Sequence, residues 1–408
     1  MLVRVLLQEM KKILKSYMYW GILIIIIIFV VVQTDISELV HLTTKPEMNL
    51  SYYGMVYSDK PDEIMKNVIS NLVEETSNNL YVTYPAGFYK AVSLSEEEQK
   101  KIIAIIEQLT KQDFEILSKH VTEYYSSKDE EVSQKILMGI NNVIDVDKSV
   151  DYEDFKTEMN KVGAIIGKGS YYEISEGYSV PKEASYEDAL SEYEQLCKKD
   201  KITGAVMRYL CDYVGIIVGL LSVFFTVFIW MRDENISIRE VIYSKKINSW
   251  KLLSAKYLAL VLLMFIPILL IALCIEVISI FELQILLKQV NIWAFASYTF
   301  TWILPEIMFI VAITLLLCEM FGKIVAVAGM IFVVLAHILV PKSLIGDFGY
   351  KLIIRWNNIG MYDLFVKQLN SYYTNRIIFF ILSIIFVIAW IYVYDKGRIY
   401  RKGINNYA

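Results

Sequence analysis

Histidine and cysteine are scarce in this chain of 408 residues, and each scarcity closes off a class of chemistry. The 3 histidines, His41, His120 and His337, are remote in sequence and belong to no spaced cluster, so no histidine-based metal centre is encoded. The 4 cysteines are as scattered: Cys197 and Cys211 flank the start of one apolar run, and Cys274 and Cys318 fall at the ends of others. They read as small apolar side chains, with a Cys197–Cys211 disulfide as the alternative. A Ser/His/Asp or paired-carboxylate arrangement is also missing, which argues against a catalytic site in this chain. Gly163-Ala-Ile-Ile-Gly167-Lys168-Gly169-Ser170 comes nearest to a phosphate loop, but three residues rather than four separate its first two glycines. Gly169 moreover stands where a magnesium-binding hydroxyl should follow the lysine. The chain is therefore expected to hold no cofactor, nucleotide or metal of its own.

Charge is thin as well, at 21% against about 25% in soluble domains. Alanine is absent before Ala86, which removes an A-x-A site and with it a cleaved signal peptide. What is abundant is apolar: 56% of residues are hydrophobic and the mean hydropathy is +0.44, which excludes a mostly soluble protein. The net charge of -4 conceals an asymmetry. Thr34 to Arg208 holds 32 acidic and 19 basic residues, a net of -13, while the remainder holds 12 and 21, a net of +9. Neither part has the footprint of a nucleic-acid binder.

A bilayer core about 30 Å thick takes about 20 apolar residues in a helix. Six uncharged runs approach that length: Ser16–Thr34, Tyr213–Met231, Tyr257–Ile275, Gln289–Pro305 resuming to Cys318, Ile324–Pro341 and Ile377–Tyr394. The fold class expected is mainly α, a polytopic six-helix bundle with an inserted, mostly helical (α+β) domain. The divisions are an amphipathic helix at 1–18, spans at 19–34, 209–231, 257–281, 290–318, 324–341 and 376–394, and an inserted domain at 35–208. A cytoplasmic connection occupies 232–256, short helices 342–375 and a tail 395–408. Basic residues dominate the first 15 residues, Arg232–Lys256 and Asp395–Ala408, so all three are assigned to the cytoplasm and 35–208 to the outside. Lys342–Arg376, with five basic residues, fits this orientation less well.

Within the inserted domain, Ile64, Val68, Ile69 and Leu72 recur at helical spacing after Pro61. Ser93-Leu-Ser95-Glu96 offers a capping box for one long helix through Ile102, Ile103, Ile106, Leu109, Phe114 and Leu117. Tyr81–Tyr84 and Tyr171–Ile174 are short and β-prone, and Tyr186 to Leu196 reads as a helix continuing through Arg208. Fourteen of the 29 tyrosines lie here, which suits either an aromatic surface for an amphipathic ligand or ordinary core use. Asn49-Leu-Ser51 matches a glycosylation acceptor, a tripeptide frequent by chance.

Three features carry a mechanism. In the first 17 residues Leu2, Leu6, Met10, Ile13, Leu14 and Tyr17 share one face, while Arg4, Lys11, Lys12 and Lys15 lie towards the other, as in a helix held at the inner headgroup plane by anionic lipid. A simple topogenic charge cluster is the alternative. Arg232 to Tyr257 combines Glu234, Arg239, Glu240, Lys245, Lys246 and Lys256 with the apolar knobs Ile242, Tyr243 and Trp250. Such a short helix can seat in a partner's groove, and the alternative is an interfacial linker with snorkelling lysines. Glu276, Glu306 and His337 put ionisable groups inside apolar runs, where each is by default a functional candidate. Glu306 follows Pro305, which removes a backbone hydrogen bond and can kink the helix. It serves either gating or cation contact, or is a protonated carboxyl with no transport role.

The amphipathic first helix, the six runs with a large insertion after the first, and the segment from Arg239-Glu240 to Lys256-Tyr257 resemble the permease subunits of ABC-2 type (ATP-binding cassette) exporters. The family's glycine after the charged pair is not evident here. Lys342 to Arg376 is similar to the short helices before that family's last span. The resemblance implies two such permeases around a central path, each docked on a cytoplasmic ABC ATPase subunit that binds ATP and magnesium. Arg239, Glu240 and their neighbours would form the coupling surface. The exported substrate would be an amphipathic peptide or antibiotic, with lipid or sodium as further classes, and the setting a bacterial plasma membrane with both termini cytoplasmic. The alternative class is an ATP-independent surface protein or secretion component, because proteins resembling phage-infection proteins share the layout.

Overall fold

Apolar residues at helical spacing make this chain mainly helical in the computed structural model, which describes residues 2–33, 44–48, 50, 52–85, 89–126, 130–174, 178–233, 248–283, 289–338, 351–356, 359 and 362–405. The chain divides into two compact units, Pro46–Ser191 and Met1–Lys45 together with Glu192–Ala408.

The Pro46–Ser191 unit contains β1 (Met55–Ser58), α3 (Pro61–Asn78), β2 (Tyr81–Thr83), β3 (Lys90–Val92), α4 (Glu96–Thr110), α5 (Phe114–Tyr125), α6 (Glu130–Leu137), α7 (Tyr152–Ile166) and β4 (Val180–Glu183). The sequence periodicity is realised in α3, where Pro61 opens the helix and Ile64, Val68, Ile69 and Leu72 are all buried. They pack with Ile102 and Ile106 of α4, Leu117 and Val121 of α5, and Phe155, Met159 and Val162 of α7. Two antiparallel pairs, β1–β4 and β2–β3, flank this core, with Ser58 opposite Val180 and Tyr81 opposite Val92.

Three local expectations shift. The capping box lies two residues later, with the Ser95 N–H and hydroxyl donating to Glu98 Oε2 at 3.0 and 2.6 Å. The single long helix is two, because Lys111 takes a left-handed conformation (φ 54°) and Asp113 accepts from the Glu115 N–H at 2.8 Å to start α5. Tyr171 to Ile174 forms no strand, although Thr83 pairs with the neighbouring Ser170.

The other unit begins with α1 (Leu2–Leu14) and α2 (Tyr17–Gln33), which meet at a 75° bend. α8 (Tyr186–Glu194) carries the chain back into it, followed by a π-helical turn at Gln195–Asp200 and then α9 (Ile202–Asp233). α10 (Ser249–Glu282) follows, then α11 (Ala294–Tyr298), a second π-turn at Thr299–Ile303, α12 (Leu304–Phe321), α13 (Lys323–Ile338), α14 (Tyr362–Lys367) and α15 (Leu369–Asn405). α12 is central, packing on α9, α10, α13 and α15, while α1 lies along α10 and α2 along α9.

Among the described residues, four helical stretches are long and apolar enough to cross a membrane: Ile202–Asp233, Ser249–Glu282, Ala294–Phe321 and Leu369–Gly397, with 32, 34, 28 and 29 residues. The bent pair of α1 and α2 brings the number to five if it counts as one span. Of the six expected runs, α2 and α13 have 17 and 16 described residues, and the residues that follow each lie outside the described set. The first amphipathic helix also stops earlier than expected, at Leu14, with the Ser16 N–H donating to Ile13 O at 2.9 Å. The helix expected to run from Tyr186 through Arg208 is broken at Lys201, whose φ is 61°. Pro305 follows the π-turn directly within the continuous helical stretch Ala294–Phe321, and the widened turn makes room where its ring and missing N–H interrupt the hydrogen-bond ladder. The irregularity predicted at Pro305 is therefore a widened turn just upstream.

Candidate functional site

α9 runs parallel to, and in register with, the stretch from Asn291 through α11 and the second π-turn to α12. Thr203 meets Asn291, 88 positions later, at 3.3 Å; Arg208 donates to the Tyr298 hydroxyl, 90 later, at 3.2 Å; Trp230 donates to Glu319, 89 later, at 3.3 Å. The seam between them is polar although both helices are apolar overall. From α9 it receives Arg208, Asp212, Gly215, Gly219, Ser222 and Thr226, spaced at one or two helical turns. α12 contributes Glu306 and Thr314, both fully buried.

Gly215 and Gly219 form a G-x-x-x-G step that lets another helix approach closely. A Cβ on Gly215 would lie 3.3 Å from Glu306 Oε2, and one on Gly219 3.2 Å from Oε1. The carboxylate is thus laid against bare backbone. Its nearest cation is Arg376 on α15, at 3.9 Å. The rest of that guanidinium is committed to carbonyls: Trp302 O at 3.2 Å, Leu352 O at 2.8 Å and Lys351 O at 3.1 Å.

Two further ion pairs line the same face of α9. Arg208 grips Asp200 with two hydrogen bonds of 2.6 and 2.5 Å, both side chains buried, and its guanidinium lies 4.6 Å from the Phe365 ring centre. Asp212 accepts from Arg355 Nε at 2.6 Å. At the other end of the seam, Lys256 pairs with Asp233 at 2.9 Å, and Arg232 donates to the Lys12 carbonyl at 3.4 Å. That end ties α1, α9 and α10 together.

The residues singled out from sequence are distributed as follows. Glu276 is buried and accepts the Phe295 N–H at 2.7 Å, capping the start of α11 instead of joining Glu306. His337 Nδ1 accepts the Leu352 N–H at 3.2 Å. Lys11 on α1 and Lys15 just after it are exposed, and Lys12 pairs with the buried Glu9 at 2.5 Å. The apolar face of α1 is divided: Ile13 is buried and Leu6 and Met10 pack on the helical core, whereas Tyr17, at the start of α2, is exposed. Trp250 is exposed in the first turn of α10, beside Asn248, which accepts its N–H at 2.9 Å. Lys256 is buried in its ion pair and presents no docking surface of its own. Glu234, Arg239, Glu240, Lys245 and Lys246 lie outside the described residues. All four cysteines are free, so Cys197 and Cys211 are not joined.

Asp200, Arg208, Asp212, Arg355 and Arg376 were not singled out from sequence. Asp212 and Arg376 stand at the edges of apolar runs, where a charge reads as the end of a span. The sequence signals that would have found them are the i, i+4 pair Arg208 and Asp212 and the glycines one turn further on.

The Pro46–Ser191 unit has its own polar features. Glu75 is half-buried, accepting from the Tyr172 hydroxyl at 2.5 Å and the Val82 N–H at 3.0 Å. Burial pushes its carboxyl up to about 7 despite those donors. A cavity of about 410 Å³ is lined by Glu63, Tyr124, Lys135, Asn142, Lys182 and Glu183. Its lysines are already paired, Lys135 with Glu183 at 2.9 Å and Lys182 with Asp188 at 2.8 Å. The tyrosines divide between core and surface: Tyr81 and Tyr172 are core, while Tyr84, Tyr89 and Tyr171 form an edge-to-face cluster with Tyr89 and Tyr171 exposed.

Several long apolar helices joined by buried ion pairs define a multi-pass membrane protein. No protein-family model, curated protein or solved structure matches the chain.

Proposed function

We propose that this chain is the permease subunit of an ABC-2 type exporter, a six-span membrane protein that couples to a separate cytoplasmic ATPase and extrudes a substrate. In this reading both termini and the 232–256 segment face the cytoplasm of a bacterial plasma membrane, and residues 35–208 lie outside. α2 and α13 then complete the set of spans. ATP and magnesium bind the partner, and a second permease completes the path.

One observation supports this most directly. The amphipathic α1 packs along α10, and Lys12, Arg232, Asp233 and Lys256 bring the ends of α1, α9 and α10 together beside the exposed Trp250. A force applied to a docking segment between α9 and α10 would therefore reach three helices at once, through short side-chain links. An amphipathic peptide or antibiotic is the substrate class proposed first, and lipid or sodium remain in the same reading.

Affinity purification from the native membrane tests it. A soluble ATPase is expected to co-purify with the wild type, and to be lost on Trp250→Ala or Glu240→Ala while the permease stays folded. Isolation without any ATPase under mild conditions would instead favour an ATP-independent surface protein.

A further inference from the structure

The middle of the seam between α9 and α12 holds six buried oxygens with no hydrogen-bond partner among the described residues: Asp212 Oδ2, Ser222 Oγ and Thr226 Oγ1 from α9, and Glu306 Oε1 and Oε2 and Thr314 Oγ1 from α12. Buried polar atoms are otherwise satisfied almost everywhere in folded proteins, and such a group calls for a water, an ion or a proton. The six are not scattered. Thr226 and Thr314 are 88 positions apart, matching the offset of the bonded pairs above and below them, so they lie at one level of the seam. Ser222 lies one turn from Thr226 towards Glu306.

The chemistry chooses among the occupants. A metal cation needs about six oxygen ligands and would sit beside two guanidinium groups, Arg376 at 3.9 Å from Glu306 and Arg355 at 2.6 Å from Asp212. A proton needs one carboxylate oxygen and one acceptor. Hydroxyls in line with an intramembrane carboxyl are the kind of group along which water can carry that proton.

We propose that Glu306 reversibly binds a proton, exchanged with water along Ser222, Thr226 and Thr314. Protonation removes the charge that faces Arg376, and so weakens the attraction between α12 and α15. The groups around this carboxyl are Cys211 and Asp212 from α9, Arg376 and Tyr372 from α15, Lys351 and Arg355 from the segment before α14, His337 from α13 next to Arg376, and Tyr257 from α10, whose hydroxyl donates to Met308 O. The inference is independent of the exporter reading, since it concerns only the bundle and needs no ATPase.

Infrared difference spectroscopy on the full chain in lipid nanodiscs, recorded after a pH step in light and heavy water, tests it. The expected result is a protonated-carboxyl band that rises as pH falls, shifts in heavy water, and is lost in Glu306→Gln. Glu306→Asp keeps a carboxyl and moves the band instead of abolishing it, which separates loss of the group from loss of the fold. In a Ser222→Ala, Thr226→Val, Thr314→Val variant the band is expected to persist but to fail to deuterate on the wild-type timescale. A wild type with no titrating band, a band unchanged in Glu306→Gln, or equally fast deuteration in the triple variant would each overturn the proposal.

Discussion

Arg208 reaches back across the break at Lys201 to hold Asp200, eight positions earlier, with two hydrogen bonds of 2.6 and 2.5 Å. The pair closes the gap between a π-turn and α9, and both side chains are buried, so either charge alone would be left unpaired in a poorly hydrated site. Breaking a buried pair by removing one partner typically costs about 3–5 kcal/mol. Arg208→Ala and Asp200→Ala are each expected to destabilise the helical unit by that order. In the double variant the losses should fall well short of additive, as read by thermal unfolding of the purified protein in a double-mutant cycle.

Glu75 makes the stability of the Pro46–Ser191 unit depend on pH. Its carboxyl sits at about 7 in the folded chain, against 4.5 for an unperturbed glutamate, so between those values the folded state holds the proton more tightly than the unfolded state does. The stabilisation is complete below the unfolded value and is lost as pH rises towards about 7. A difference of this size corresponds to roughly 3 kcal/mol at most. Hydrogen exchange of the α3 and β2 amides in the full chain, corrected for intrinsic rates, should show this fall in the wild type and little of it in Glu75→Gln. Equal slopes in the two proteins would count against the assignment.

Gly169 is the glycine whose replacement should be felt most. Its φ is +82°, and a Cβ there would lie 2.6 Å from the carbonyl carbon and oxygen of Tyr84. The neighbours that would have to move are backbone, held by the Tyr84 N–H donating to Gly169 O at 2.9 Å. Gly169→Ala is expected to cost at least about 1–3 kcal/mol, and to increase proteolysis around residues 84 and 169 without affecting the helices of the other unit.

Lys256 offers a way to separate folding from docking. Buried beside Asp233, it should act on stability: Lys256→Gln is expected to lower the unfolding midpoint, and Asp233→Asn in the same chain to recover part of the loss. Trp250→Ala, at an exposed position, is expected to leave the midpoint within about 0.5 kcal/mol of wild type. A lysine that touched only a partner would show the Trp250 behaviour in this measurement.

The sequence was most readable where a single rule governed the residues. Ile64, Val68, Ile69 and Leu72 announce their helix because one buried face has to recur at helical spacing, and long apolar runs announce membrane helices for a similar reason. The reading weakened where charge and burial coincide. Arg208, Asp212 and Arg376 end or border apolar runs, yet they are buried inside the bundle because each is paired: Asp212 and Arg376 with partners from a distant stretch of chain, and Arg208 with Asp200 across the break at Lys201. No local pattern carries that pairing. Glu306 could be singled out, since a lone carboxyl in an apolar run is conspicuous, but the glycines that make room for it lie nearly ninety positions away on another helix. The π-turns escaped notice because an extra residue in a turn leaves composition and hydropathy unchanged.

The constant offset between α9 and α12 also limits how this chain can change in length. An α-helix turns about 100° per residue. One residue added to α9 between Gly219 and Trp230 would swing Ser222 and Thr226 away from Thr314, or else break the bond from Trp230 to Glu319. The same insertion in the connection between the two helices would leave the seam as it is. Relatives of this protein should accordingly differ in loop length while preserving the residue count of these two helices.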